Sequence, residues 1–405
     1  MRARRITWPL SGALLCALLA ACSGSAPDAA SSTSTDALTS TDALTSAAPS
    51  TSAAATPSGP EARVTAALAG LDRRAQIAQL FVVGVPLDDL GSGQALVDRG
   101  VGGVFLAGRS QAPASELAAT ATQWQSAARG PGLWIAADQE GGAVQTLQGA
   151  GFDPLPSALE QGRLPHDQLA TLAAGLGASL HGAGLNLDLA PVVDVVPAGT
   201  ETSNEPIGQF GRQYGSTGSA VTAAAATVVD GLAASGLTAT LKHFPGLGRV
   251  RGNTDTAASV TDTVTTAGDE QVSAFAGTLA RTAAHPFVMM SLATYTNIDP
   301  AEQAVFSSAV ITDLLRGRLG FDGVVISDDL GNARSVADVP PGERATRFLA
   351  AGGTVVLTVA PTVLDEMVEA VVAKDATDPR FSAAVDAAVH RALLAKAQAG
   401  LLPPA

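Results

Sequence analysis

Cysteine, histidine, aromatic and basic residues are all scarce in this chain of 405 residues. It has two Cys and five His, 4% aromatic residues, and 24 Lys and Arg against 37 Asp and Glu, which gives a formal net charge of −13. Two cysteines are too few for a disulfide scaffold or a cysteine-based zinc site. An acidic chain without a basic cluster cannot neutralise phosphates, so we expect no nucleic acid partner. The 46% of hydrophobic residues is enough for the large core of a globular protein.

Motifs for several kinds of catalysis are also missing. No two histidines have the i, i+4 spacing of a helical zinc site, and we expect no metal. The chain has no G-x-S-x-G elbow, Walker loop or dinucleotide-binding glycine motif after an apolar run, so serine hydrolases, NTPases and dinucleotide enzymes are not indicated. Carboxylates, Lys and His are the reactive groups that remain, and we expect no cofactor.

The first 22 residues resemble the leader of a bacterial lipoprotein. Three Arg residues precede an apolar run over 10–19, which is too short to cross a membrane. The run ends in Leu19-Ala20-Ala21-Cys22, which is similar to a lipobox. We therefore predict that residues 1–21 are a signal peptide and that lipid on Cys22 anchors the protein to the cell membrane, on its extracytoplasmic face. We expect membrane contact through this anchor only. The alternative is an ordinary signal peptide with a chance Cys.

Residues 23–60 have the composition of a tether. They contain no Lys, Arg or aromatic residue, and the segment STDALT occurs twice, at 34–39 and 40–45. Such a segment cannot bury a core. We predict that residues 22–60 form the lipidated Cys and a disordered spacer, and that residues 61–405 form one catalytic domain.

Eight short apolar runs alternate with longer Ala-rich segments of helical character. Near-continuous apolar runs indicate strands that are buried on both faces, as in a parallel sheet covered by helices. This βα rhythm predicts an α/β fold, namely a single (β/α)8 TIM-type barrel, with a doubly wound sheet as the alternative. The predicted strands are 77–85, 102–107, 133–137, 185–195, 238–243, 287–292, 324–327 and 354–359.

Polar residues follow three of these runs. Asp138-Gln139-Glu140 follows the third, Lys242-His243 closes the fifth, and Ser327-Asp328-Asp329 closes the seventh. In a barrel these ends meet at the rim that holds the active site. Paired carboxylates are what glycoside hydrolysis uses, one as the nucleophile and one as the acid/base. The alternative for each residue is a strand-end cap or a surface ion pair.

Several blocks of the sequence form a recognisable set of motifs. The segments LLRGR at 314–318 and GVVISDDLG at 323–331 are similar to the active-site signature of glycoside hydrolase family 3. Other blocks are similar to its single-domain β-N-acetylhexosaminidases and occur in the same order: ADQEGG at 137–142, LNLDLAPVVDV at 185–195, Ile207-Gly208 with Arg212, and LKHFPGLG at 241–248. The resemblance covers about residues 65 to 400.

This resemblance implies a barrel, retaining double-displacement chemistry, and no metal. Asp328, the first Asp after the seventh strand, corresponds to the nucleophile, with Asp329 as its structural neighbour. The residues that correspond to those binding the reacting sugar are Asp138, Arg212, Lys242 and His243. For His243 the alternative is a buried, hydrogen-bonded core histidine.

The acid/base is predicted from the loop after Lys242-His243. The resembling hexosaminidases commonly have Asp-Ser-His there, with His as the acid/base, whereas this chain has Asn253-Thr254-Asp255. A carboxyl with a raised pKa is the usual general acid of glycosidases, so Asp255 is the predicted acid/base. The alternative for Asp255 is an Asx turn.

The resemblance leads to an expected function. It is an exported, retaining β-N-acetylglucosaminidase that acts as a monomer and removes terminal β-linked GlcNAc from peptidoglycan-derived fragments. One alternative is a family 3 β-glucosidase or phosphorylase of other specificity. Another is a sugar-binding lipoprotein with weak catalysis, because Leu247 and Leu292 also stand where these hexosaminidases often have His.

Overall fold

The structure is a computed structural model and describes residues 59–404. The predicted signal peptide, Cys22 and almost all of the predicted tether lie outside the described residues. The first described helix begins at Pro60, one residue before the predicted domain boundary. Proline is well tolerated at a first helical position, because the N–H that it lacks would have no partner within the helix.

Eight parallel strands close into a barrel. They pair in chain order, and the first strand pairs with the eighth. Isolated bridges from Leu187 to Thr238 and from Ile326 to Val355 join the fourth strand to the fifth and the seventh to the eighth. The predicted (β/α)8 barrel is confirmed, and each predicted apolar run overlaps one strand. The strands are β1 Phe81–Pro86, β2 Gly103–Ala107, β3 Trp134–Ala137, β4 Leu187–Asp188, β5 Thr240–Phe244, β6 Phe287–Met290, β7 Val325–Ser327 and β8 Val356–Thr358.

Helices precede the barrel and connect its strands. Several begin at an Asp whose side chain accepts a main-chain N–H of the first turn, as Asp72, Asp269 and Asp378 do, which is a favourable helix cap. The helices are α1 Pro60–Gly70, α2 Arg73–Ala78, α3 Gly93–Asp98, α4 Ala114–Ala127, α5 Ala158–Gln161, α6 His166–Gly182, α7 Gly218–Ala234, α8 Glu270–Leu279, α9 Ala309–Arg318 of π type, α10 Pro341–Ala350, α11 Leu364–Asp375 and α12 Pro379–Gln398.

The barrel strands are buried on both faces. Every residue of β5 and β6 is buried, and so is every residue of β1 except Pro86. At the N-terminal ends of β3 and β6, the rings of Trp134 and Phe287 pack edge to face with their centroids 5.1 Å apart. This packing fills the N-terminal end of the barrel with apolar side chains. Charged side chains gather instead at the C-terminal rim.

The loops at the C-terminal rim carry short additional strands. Gln139–Gly141 pairs with Val144–Gln145 after β3, and Asp299–Gln303 pairs with Thr294–Tyr295 after β6. These pairs stiffen the loops that surround the mouth of the barrel. Among the helices of residues 59–404, none combines the length and the apolar character needed to cross a membrane.

Candidate active site

The sugar-site residues predicted from the sequence line one cavity of about 270 Å³ at the C-terminal ends of the strands. Phe105, Leu189, Met289, Leu357 and Val359 form its apolar wall. Cys22, the remaining predicted site residue, lies outside the described residues. The polar members of the lining that were predicted are Asp138, Arg212, Lys242, His243, Asp255 and Asp328. Their individual roles stay predictions.

A larger cleft of about 510 Å³ lies between residues 151–155 and α6. Asp153 and Asp167 are among its lining residues, but no Lys, Arg or His is. It therefore has no cation to pair with these carboxylates or to bind an anionic or polyhydroxyl ligand. The smaller cavity is lined by both carboxylates and basic side chains. It is therefore the better candidate for a catalytic site.

One side of the cavity is a network of two cations and two carboxylates. Lys242 Nζ lies 2.5 Å from Asp138 Oδ1 and 2.7 Å from Glu140 Oε1. Arg212 binds Glu140 through two parallel hydrogen bonds of 2.8 and 2.7 Å. Such bidentate pairs fix the guanidinium plane as well as its position. Asp138 keeps its Oδ2 free of hydrogen bonds from described residues, so that oxygen is available to a ligand.

Glu140 is a site residue that the sequence reasoning missed. Only 2% of its side chain is exposed. Burial alone raises the pKa of Glu140, but the charges of Arg212 and Lys242 outweigh it and lower the pKa to about 2. The ionised Glu140 thus holds both cations in place before any sugar binds. A signal was present, because Glu140 belongs to the block that supplied Asp138.

Lys242 and His243 both reach the cavity although they are neighbours on one strand. Successive side chains of a regular strand point to opposite faces. The register between β5 and β6 shifts between Leu241 and Phe244, and such irregularities redirect side chains near active sites. The local departure from strand geometry accounts for two consecutive residues in one site.

His243 is held by a buried carboxylate. Its Nδ1 lies 2.8 Å from Asp194 Oδ2, and Asp194 Oδ1 accepts the main-chain N–H groups of His243 and Leu247 at 3.1 and 2.7 Å. His243 is thus the buried, hydrogen-bonded histidine of the alternative interpretation and also lines the cavity. Because Nδ1 is engaged, Nε2 is the ring nitrogen left for a ligand. Asp194 was also missed, although an acid within an apolar run is a signal.

Asp188 is a third buried carboxyl near the site, after Glu140 and Asp194. Its Oδ1 accepts the N–H of Gln139 at 3.1 Å, while its Oδ2 is buried without a partner among the described residues. Burial raises the pKa of Asp188 to about 7. This carboxyl therefore carries much less charge at neutral pH than Glu140, although both are buried.

Asp328 and Asp329 differ in how many donors their carboxylates meet. Asp329 accepts the N–H groups of Gly331 and Val359 on Oδ1, each at 2.8 Å, and that of Asn332 on Oδ2 at 3.0 Å. From the described residues Asp328 accepts one hydrogen bond, from the N–H of Asp329 to Oδ1 at 2.8 Å. Asp329 is thereby fixed as a structural residue, and Asp328 keeps an oxygen free beside the cavity.

The surroundings of Asp328 favour its neutral form. Burial raises the pKa of Asp328 to about 6; the charge of Asp255 contributes to the rise and His243 opposes it. Asp328 is therefore ionised above about pH 6 and loses its charge below. An ionised carboxylate is the form that can act as a nucleophile.

Asp255 lies at the mouth of the cavity and is exposed. Asn253 Oδ1 accepts the N–H of Asp255 at 2.9 Å, so the Asx turn of this loop is made by Asn253. The Asp255 carboxylate accepts no hydrogen bond from any residue in 59–404. Partial loss of hydration raises the pKa of Asp255, against the opposing charges of His243 and Arg212. Both features suit a proton donor.

The arrangement can carry out acid and nucleophilic chemistry. Two carboxyls with free oxygens face the same cavity, which also contains the anchored side chains of Lys242, Arg212 and His243. Within the described part of the chain, no group of three His, Cys, Asp or Glu side chains has the arrangement of a metal site. Asp328 and Asp255 are therefore the candidate reactive groups of this cavity.

A barrel with two such carboxyls at its C-terminal rim has the groups that a glycoside hydrolase uses. The model of the glycosyl hydrolase family 3 N terminal domain matches residues 73–393. The chain belongs to this family.

Curated and solved relatives agree with the family. The Beta-hexosaminidase of Stenotrophomonas maltophilia R551-3 is 36% identical over 280 residues, which is 67% of this chain and 80% of the relative. The crystal structure of the β-N-acetylhexosaminidase of Beutenbergia cavernae is 45% identical, with a TM-score of 0.77 over 80% of this chain and 98% of that one. A family 3 β-N-acetylglucosaminidase of a Paenibacillus strain is 26% identical, with a TM-score of 0.70 over 82% and 63%.

Proposed function

We propose that this protein is a retaining β-N-acetylglucosaminidase that removes terminal β-linked GlcNAc residues. The observation that carries the proposal is the pair of carboxyls at Asp328 and Asp255, which face one cavity with free oxygens. The hexosaminidase names of the relatives support the choice of sugar. We also propose that the protein acts as a monomer, because a single chain brings Asp328, Asp255 and the neighbouring cations to one cavity.

In the first step, Asp328 attacks the anomeric carbon and the bond to the leaving oxygen breaks. Asp255 gives its proton to that oxygen, and the sugar becomes an ester of Asp328. In the second step, Asp255 removes a proton from water, whose oxygen attacks the anomeric carbon and releases Asp328. The product keeps the β configuration.

The network opposite these carboxyls holds the reacting sugar. Asp138 Oδ2 and His243 Nε2 have no hydrogen-bond partner among the described residues, and Lys242 and Arg212 are already fixed by Glu140. Groups that are held before binding need no reordering when the sugar arrives, so more of the interaction energy goes to orienting it.

Activity on matched glycosides tests this function. We expect release of nitrophenol from 4-nitrophenyl N-acetyl-β-glucosaminide and little from 4-nitrophenyl β-glucoside. Preference for the glucoside would favour another specificity, and a sugar phosphate formed in phosphate buffer would reveal a phosphorylase. Binding of GlcNAc without turnover of either glycoside would indicate a sugar-binding protein.

We further propose that the enzyme is exported, anchored through Cys22, and acts on GlcNAc-containing fragments of peptidoglycan. The leader and the tether composition support export, and the bacterial wall is a source of such fragments outside the cytoplasm. Cys22→Ala should move the enzyme from the membrane fraction to the soluble fraction. An unchanged distribution would contradict the lipid anchor, and failure to release GlcNAc from purified wall fragments would contradict this substrate.

A further inference from the structure

The loop that carries Asp255 is tied to the loop after β4 by a buried side chain. Asn204 is 2% exposed and donates from Nδ2 to the main-chain oxygens of Leu247 and Val250 at 2.8 and 2.7 Å. Its Oδ1 accepts the N–H of Gly208 at 2.7 Å. The nitrogen and the oxygen of the Asn204 amide thus both have hydrogen-bond partners. These bonds hold the first half of the loop in one position.

Close main-chain packing holds the same loop. A Cβ at Gly248 would lie 1.9 Å from the main-chain oxygen of Val195, so only glycine permits this approach. Further along, the N–H of Asn253 donates to Glu205 Oε2 at 3.3 Å. The loop after β5 is therefore braced along its length by residues that follow β4.

On its other side the tip of the loop is bonded to a turn that follows the nucleophile strand. Arg334 donates its main-chain N–H to the main-chain oxygen of Asp255 at 3.1 Å, and Ser335 donates to that of Thr254 at 3.1 Å. The two donors lie in the single 3₁₀ turn Arg334–Val336. These bonds join the backbone of Asp255 directly to the segment that continues from Asp328.

That segment is itself fixed by a buried arginine. Arg344 is 6% exposed, and it donates from Nη1 to the main-chain oxygens of Leu330 and Gly331 at 2.7 and 3.0 Å and from Nε to that of Val339 at 2.6 Å. An Arg that meets several carbonyls locks the local backbone, because its donors have a rigid geometry. The chain from Asp328 to the 3₁₀ turn is thus one hydrogen-bonded unit.

We propose that the main-chain N–H groups of Arg334 and Ser335 position Asp255 relative to Asp328. We call these two hydrogen bonds the rim clamp. In this arrangement the loop that carries Asp255 is not free to move on its own. The segment directly after Asp328 fixes the position of Asp255. The inference rests on the proposed acid/base role of Asp255, and it makes Arg334 and Ser335 positioning residues.

The clamp can be weakened without changing the fold. Ala333 has φ −57° and ψ 129°, the conformation that is favoured before proline, and proline fits the first position of a turn. Arg334→Pro therefore suits the backbone of the turn, but it removes the N–H that binds Asp255 and puts Cδ in its place, so the Asp255 carbonyl oxygen, 3.1 Å from the Arg334 nitrogen, must move away. Arg334→Ala keeps this N–H and is the matched control, since the exposed Arg334 side chain makes no hydrogen bond or ion pair with a described residue.

The test measures kcat/KM on an N-acetyl-β-glucosaminide with a poor leaving group and on one with an activated aryl leaving group. General acid help is worth about 10²–10⁴-fold, and a misplaced acid loses part of it. We expect Arg334→Pro to lose about 10–10²-fold on the poor leaving group and under about 3-fold on the activated one. Arg334→Ala should match the parent on both.

Asp255→Ala and the double variant with Asp255→Ala and Arg334→Pro separate the acid/base proposal from the rim clamp. If Asp255 is the acid and the clamp positions it, Arg334→Pro should have no further effect in an Asp255→Ala background. If Asp255→Ala is selective for poor leaving groups but Arg334→Pro behaves like Arg334→Ala, the clamp is contradicted and the function stands. Equal losses by Arg334→Pro on both substrates would also contradict the clamp. If Asp255→Ala itself is not selective, its acid/base role fails and the clamp with it.

Discussion

The two sides of the active-site cavity use the same kinds of residue in opposite ways. On one side Glu140 is buried and bonded to two cations, and on the other Asp328 and Asp255 line the cavity with oxygens that accept no hydrogen bond from a described residue. The occupied oxygens of Glu140 give the site its shape, whereas the free oxygens of Asp328 and Asp255 can react. The number of donors that meet these three carboxylates therefore separates their roles better than the residue type does.

The contrast between Asp328 and Asp329 predicts the largest effect. Asp328→Ala should abolish turnover while leaving stability close to that of the parent, because within residues 59–404 this carboxylate accepts a single hydrogen bond. A fluorinated N-acetylglucosaminide should label the parent on the peptide that contains Asp328, as read by intact and peptide mass. A label on Asp138 or Asp255 would reverse the assignment.

Asp329→Ala is the matched variant for that experiment. It leaves three main-chain N–H groups without their acceptor, and an unsatisfied donor costs about 1–3 kcal/mol where it is buried. We therefore expect a lower free energy of unfolding in denaturant together with a partial loss of activity. A fully stable Asp329→Ala variant without activity would contradict the division between the two residues.

Breaking the paired side of the cavity should reduce stability as well as sugar binding. Lys242 has 3% of its side chain exposed and carries two ion pairs. Lys242→Met leaves buried negative charge behind, and removing one partner of a buried pair typically lowers the free energy of unfolding by about 3–5 kcal/mol. Denaturant unfolding would measure this change.

Asp138→Asn is the contrasting change on the same side. Asp138 is 29% exposed, and its amide variant retains the volume. We expect a higher KM with a loss of stability under about 1 kcal/mol, as for an exposed pair. A Lys242→Met variant as stable as Asp138→Asn would show that the network is not the structural half of the site.

The pH dependence gives the smallest effect. Asp328 must be ionised to attack, and burial raises its pKa to about 6, so kcat/KM should fall as the pH decreases through about 6. Asp255→Asn removes a negative neighbour, and Asp328 then ionises more readily. The acid limb of the profile should therefore move to lower pH, whereas a shift to higher pH would contradict the proximity of the two carboxyls.

The sequence predicts the barrel and the strand-end part of the site because both depend on local patterns. Apolar runs mark the strands, and Asp138, Lys242, His243 and Asp328 follow directly where such runs end. In a parallel barrel all those positions come to one rim, so their meeting follows from the fold class alone. Arg212 lies in a loop, and only the family resemblance selected it.

Partners across the barrel could not be predicted in this way. Glu140 and Asp194 matter because of what they contact on β5 and its neighbouring loop, and no local pattern specifies those contacts. The hydrogen bond from Arg334 to Asp255 joins two main-chain groups. No particular residue type is needed for it, so nothing in the sequence marks it. Such contacts depend on the packing of the long loops. The periodicity that predicts strands does not encode this packing.

The reactive side is tested most directly by Asp255→Ala assayed with and without azide. If Asp255 is the acid/base, kcat/KM should fall by about 10²–10⁴-fold on substrates with poor leaving groups and much less on an activated aryl glycoside. Azide should then restore turnover and yield a β-glycosyl azide, because it attacks the glycosyl ester without help from a base. Equal losses on both substrates and no azide product would contradict the role of Asp255.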